Sequence, residues 1–103
     1  MMRTMLHTVN KSPFDNGTLQ TCLKHVRQGS VVLLIEDGVY AAAKDTTVSK
    51  QLQEAMKSTP IYALGPDVEA RGMQNRVMDG VRLVDYAGFV ELVAQHNAVQ
   101  SWL

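Results

Sequence analysis

The apolar residues of the chain fall into short runs parted by turn residues, and the most compact run is Val31-Val32-Leu33-Leu34-Ile35. Five apolar positions without alternation describe a strand buried on both faces. Glu36-Asp37-Gly38 supplies the turn at its carboxyl end, and Ala41-Ala42-Ala43 reads as a helix leaving that turn. Upstream, residues 5–9 form a first strand, stopped by Asn10-Lys11-Ser12-Pro13. Asp15-Asn16-Gly17-Thr18 is a cluster of turn and cap residues ahead of a helix over 19–28. That helix carries Leu19, Leu23 and Val26 at helical spacing and has Gly29 as its stop.

Residues 48–57 make a second amphipathic helix, with Val48, Leu52, Ala55 and Met56 on one side. Ser58-Thr59-Pro60 ends it, and residues 61–64 are a short third strand. Pro66 suits the first position of a turn or two of helix through Arg71, which Gly72 closes. After a turn at Val77-Met78-Asp79-Gly80, residues 81–84 form a fourth strand and Asp85 caps a helix over 86–95. Tyr86, Phe89, Val90 and Val93 recur there at i, i+3, i+4 and i+7, so this side is expected to be buried. Residues 97–103 form a tail ending in Trp102-Leu103, either packed on the chain's own sheet or anchoring a subunit interface.

The order β, α, β, α, α, β, α, β, α predicts a single domain over 1–103. It is a small three-layer α/β domain with a mostly parallel sheet flanked by helices on both faces. In such sheets, sites collect outside the carboxyl ends of the strands.

Composition narrows the function classes. With 46% apolar and 19% charged residues in 103, the chain is globular. Ten basic and ten acidic residues cancel, which argues against direct nucleic-acid binding and for a surface partly covered by other subunits. The apolar part of Met1-Met2-Arg3-Thr4-Met5-Leu6-His7 is too short and interrupted for a leader, and no run reaches membrane-span length. A single cysteine, Cys22, excludes an internal disulfide and makes a reducing, cytoplasmic location the expectation.

Cys22 is the principal candidate for chemistry. On a helical wheel it sits roughly 60° from Leu19, at the shoulder of the apolar stripe, with His25 one turn on and within reach. One reading is a solvent-reachable thiol whose imidazole neighbour favours thiolate; the other is a small cysteine buried at a helix–sheet contact. Cys22, His25, His7 and His96 are a poor set for a structural metal, which usually takes more cysteines. Glu36, Asp37 and Asp85 at strand ends match either an acidic Mg²⁺ pocket or, more simply, helix caps. Gly-rich phosphate loops and the Gly-x-Ser-x-Gly elbow do not occur, so neither a cofactor nor a metal is expected.

Five strings are similar to those of a known family: Met5-Leu6-His7-Thr8-Val9-Asn10-Lys11-Ser12-Pro13-Phe14, Leu34-Ile35-Glu36-Asp37-Gly38-Val39-Tyr40-Ala41-Ala42, Tyr62-Ala63-Leu64-Gly65-Pro66-Asp67 with Ala70-Arg71-Gly72, Val84-Asp85-Tyr86-Ala87-Gly88-Phe89-Val90, and Val99-Gln100-Ser101-Trp102-Leu103. In collinear order they resemble the DsrH/TusB family. The resemblance implies a DsrE/F/H-like fold and a subunit of a cytoplasmic sulfur-relay hetero-hexamer, with two copies each of this chain and of DsrE/TusD-like and DsrF/TusC-like sisters. It implies that the complex takes persulfide sulfur from an upstream sulfurtransferase and passes it towards a DsrC/TusE-like carrier. The end use is tRNA wobble uridine 2-thiolation in the Tus branch and oxidation of stored sulfur in the Dsr branch. The principal sulfur-carrying cysteine of such complexes belongs to the DsrE/TusD-like subunit, so this chain is not expected to be an enzyme on its own. DsrH-type members carry a first-helix cysteine where this chain has Cys22, whereas the enterobacterial TusB type lacks it. The resemblance therefore implies that Cys22 accepts sulfur or engages the carrier, against the alternative of a subunit that only completes the hexamer.

Overall fold

A computed structural model describes residues 4–103; Met1-Met2-Arg3, part of the segment weighed as a leader, lie outside the described residues. Its centre is β1 (Met5–Val9) and β2 (Val31–Leu34), paired in parallel from Leu6↔Val31 to Val9↔Leu34. All four β2 residues are buried, which is why the run does not alternate. On the far side of β2 lie β3 (Ile61–Leu64) and β4 (Arg82–Val84), and on the far side of β1 lies β5 (Ala98–Trp102). The strand order is β4-β3-β2-β1-β5, parallel throughout.

That order dictates the layers. Right-handed crossovers stepping one way, from β1 to β4, must place their helices on one face, and the long return from β4 to β5 must place its helix on the other. The first face carries α1 (Thr18–His25), a 3-10 segment (Glu36–Ala42), α2 (Ser49–Met56) and α3 (Gly65–Ala70). Its core joins Leu19, Cys22, Leu52 and Val68 to Val9, Val32, Leu34, Ile61 and Ala63 of the sheet. Among the described residues the second face carries only α4 (Tyr86–Gln95), whose Leu92 and Phe89 pack on Leu6, Val31 and Leu33. The expected three layers are present.

Four details differ from the sequence reading. The helix read over 19–28 stops at His25, and Val26 is already extended; Gly29 instead turns the chain into β2 with φ 89°. The segment after Gly38 winds as 3-10 rather than α, closed by bonds such as Ala43 N–H to the Tyr40 carbonyl, with Ala41 and Ala42 wholly buried. The tail is a fifth strand, so β1 is interior. Finally, the apolar stripe of α4 is mostly outside: Tyr86 is 61% exposed, Val90 68% and Val93 40%. These three lie within about 60° of one another round the helix, whereas Phe89 and Leu92 lie roughly 60° and 120° from Tyr86. The apolar arc is wider than one sheet can cover, and the sheet takes its edge rather than its middle.

Gly38 shows how closely the layers meet. A Cβ there would run into the carbonyl oxygen of Val9, which already accepts the Ile35 N–H at 3.0 Å. Gly38→Ala is therefore expected to destabilise the chain by about 3 kcal/mol, the upper end of overpacking costs, by urea titration. Gly17→Ala, with open space at its Cβ, serves as the control and should change stability little.

Candidate functional site

The candidate residues of the sequence reading fall into two places. Glu36 and Asp37 stand at the carboxyl end of β2, and both are absorbed by the fold. Glu36 takes a left-handed backbone (φ 49°), and its N–H donates to Asp67 Oδ2 at 2.7 Å. Asn10 Nδ2 donates to Glu36 Oε2 at 3.3 Å. Arg71 donates from Nε and Nη2 to Asp37 Oδ1 at 3.0 and 2.9 Å, and its guanidinium lies 6.0 Å from the centre of the Tyr40 ring. Asp85 accepts the Gly88 N–H at 2.8 Å as the cap of α4. The acidic groups close turns and cap a helix. Among the described residues no three His, Cys, Asp or Glu side chains form a metal-binding group.

The second place is the seam where α1 lies across β1 and β5. Cys22 points into it and is 0% exposed, within the cluster of Leu19 and Val9. Burial pushes its thiol up to about 12, because an apolar surround penalises the thiolate. Of the two readings of its helix position, the structure therefore shows the helix–sheet contact, not a solvent-reachable thiol. His25 does not activate it through a hydrogen bond. Its Nδ1 lies 2.7 Å from the Thr21 carbonyl oxygen, which can only accept, so that nitrogen carries the proton. The His25 ring leans on Trp102, with centroids 5.7 Å apart.

His7 and Trp102 were not paired by the sequence reading. Trp102 Nε1 donates to His7 Nδ1 at 3.0 Å, and His7 is only 3% exposed. Indole nitrogen is a donor only, so His7 must be the neutral tautomer with its proton on Nε2. Burial, and then the nearby His25, lower the His7 pKa below the ordinary 6.5. At the other end of β5, Thr4 N–H donates to Asn97 Oδ1 at 3.0 Å and Asn97 N–H to the Thr4 carbonyl at 3.1 Å. Side-chain and backbone bonds thus hold both ends of the last strand to the first. A Val-Gln-Ser-Trp run after Asn97 was the available signal for a strand.

The protonation state carries a consequence for stability. Because His7 binds its proton less readily folded than unfolded, its contribution is fully present above about pH 6.5 and is lost as pH falls towards its lowered pKa. Urea midpoints measured between pH 7.5 and 5 are expected to fall with pH. His7→Gln, which keeps an acceptor but does not titrate, should flatten that slope; an unchanged slope contradicts the assignment.

Comparison with known proteins gives concordant findings. A family model described as "DsrH like protein" matches residues 11–99. The chain is 37% identical over 98 residues to Protein TusB of Pectobacterium parmentieri, covering 95% of this chain and 100% of that one. It is 33% identical over 100 residues to Protein TusB of Escherichia coli strain K12, with the same coverage. Among solved structures, the E. coli YchN protein superposes with TM-score 0.81 at 15% identity over 97% of this chain and 99% of that one. MTH1491 of Methanobacterium thermoautotrophicum superposes with TM-score 0.78 at 13% identity and the same coverage. At such identities these two structures speak for the fold alone.

Proposed function

The chain belongs to the DsrH/TusB family, and from that premise we propose that it is a subunit of a cytoplasmic sulfur-relay complex. Its sisters are DsrE/TusD-like and DsrF/TusC-like chains, and the complex hands persulfide sulfur to a DsrC/TusE-like carrier. The observation that carries the subunit reading is the outward side of α4. Tyr86, Val90 and Val93 form an uncharged stripe on a chain of zero formal net charge, and a contiguous exposed apolar stripe of this kind marks a site of contact with another protein. Among the described residues no helix is long and apolar enough to cross a membrane, so this stripe is not part of a helical membrane span. The name TusB of the relatives supports the tRNA 2-thiolation branch, while Cys22 is the feature that ties the chain to DsrH and to sulfur oxidation.

In this reading Cys22 handles sulfur by exchange. Its thiolate attacks the outer sulfur of a donor persulfide, a new S–S bond forms at Cys22, and the donor's S–S bond breaks to leave a donor thiolate. No cofactor is required. A buried thiol with a pKa near 12 cannot do this as it stands. That burial is the specific observation in favour of a second reading, in which the chain only completes the hexamer and its docking surface.

Two variants in the complex co-purified with both sister subunits separate these readings. Val90→Asp is expected to abolish co-purification while leaving the circular dichroism of the isolated chain unchanged; retained assembly overturns the role given to α4. Cys22→Ser is expected to assemble normally and to slow sulfur delivery to the carrier at least tenfold. Unchanged delivery leaves the assembly-only reading standing.

A further inference from the structure

We propose that β5 is a strap over Cys22, latched by the Trp102–His7 bond, and that its detachment from β1 with the remaining sheet intact is the event that exposes the thiol. The proposal deepens the reading of Cys22 as a sulfur-handling residue and rests on it for its purpose, though not for its test.

Three observations carry it. First, the floor beneath α1 is made by β1 and β5, so the strand that covers this helix's inner side is the last strand of the chain. With Trp102 on that side, strand alternation places Ala98 and Gln100 there too, facing α1 beside His7 and Val9 of β1. Trp102 packs on the apolar cluster that contains Cys22 and touches the ring of His25, one turn along α1 from Cys22.

Second, β5 is an edge strand, and of the two edge strands it is the one that underlies α1. Among the described residues it is bonded to one neighbour, and Gln100 and its two flanking residues are exposed. Edge strands with exposed hydrogen bonds open at much lower cost than core strands. By contrast, β2 and β3 are paired on both sides, and β4 is remote from α1 in the strand order.

Third, the latch is specific and breakable. The Trp102 indole N–H has a single acceptor, His7 Nδ1, on a nearly wholly buried ring. Loss of that acceptor leaves a donor unsatisfied against the core and favours release of the indole. The same strap resolves the conflict between a sulfur-handling cysteine and an inert one. A closed strap keeps Cys22 protonated and protected from oxidation, and an open one lets it meet a persulfide.

Cys22 is the only cysteine, so reaction of the full chain with the aromatic disulfide DTNB reads this thiol alone. In the wild type, Cys22 is expected to react through a local opening: its rate at pH 8 should be nearly independent of urea below the unfolding transition. Hydrogen exchange of the Val99 and Ser101 amides, which alternate with Asn97 and so face β1, should give the same opening equilibrium, well short of that of β2. Trp102→Ala should react at least tenfold faster while keeping a native circular dichroism spectrum. Leu92→Ala, which removes a core contact on the opposite face, should not accelerate the reaction below its own unfolding transition. The proposal is overturned if Cys22 reacts only through global unfolding, with the urea dependence of β2 exchange, or if folded Trp102→Ala reacts at the wild-type rate. Should Trp102→Ala fail to fold, the wild-type comparison of labelling with β5 and β2 exchange decides alone. A strap confirmed by labelling, together with undiminished sulfur delivery by Cys22→Ser, would leave the strap standing and remove the relay role.

Discussion

The pairing of the last strand with the first is the constraint on which the α1 seam, with its buried Cys22 and neutral His7, depends. Without β5, β1 would be an edge strand, and His7 would lose the partner that keeps it buried and neutral. With β5 in place, β1 is interior, its backbone groups are paired on both sides, and α1 has a floor wide enough to bury Leu19 and Cys22 together. The register Val9↔Trp102 brings the indole to the carboxyl end of β1, from where it reaches back to His7. Pairing the first strand with the last also means closing a long loop, so these are the least local contacts of the sheet.

The chemistry follows from that geometry. Parallel strands gather turns at their carboxyl edge, and an acidic cluster there invites a catalytic reading. Here Glu36, Asp37 and Asp67 are committed to a left-handed turn, to Arg71 and to a backbone N–H. The residues still free to change state lie in the α1–β1–β5 seam: a thiol that burial keeps protonated, a neutral imidazole, and an indole that bridges two histidines. The opposite face offers α4, a helix with more apolar surface than its own sheet can use.

The α/β class, β1 to β4 and α4 were legible because each depends on local signals. The unbroken run of β2, the Asp85 cap and the Pro66 start are all read from a few neighbouring residues. The failures share a different cause. The strand at residues 98–102 pairs with a segment more than ninety positions away, so its short Val-Gln-Ser-Trp run could suggest a strand but not its partner. The outward stripe of α4 is apolar at the expected period, but periodicity cannot say whether the cover is this chain's sheet or another protein. Cys22 stood at the shoulder of its helix stripe, and whether a shoulder is wet depends on what lies beside the helix, which is the unrecognised β5. The His7–Trp102 bond was invisible for the same reason. The family strings fared better, since they span the chain and carry long-range information that spacing lacks.

The central claim is that this chain takes part in sulfur relay through a cysteine that its own last strand conceals. The most direct measurement is the intact mass and peptide map of this subunit within the assembled complex, after loading with a persulfide donor and trapping with an alkylating agent. The account predicts one added sulfur atom on Cys22 in a fraction of subunits, and none when the donor is omitted. Sulfur found only on the sister subunits, with Cys22 unmodified at every loading time, would contradict it.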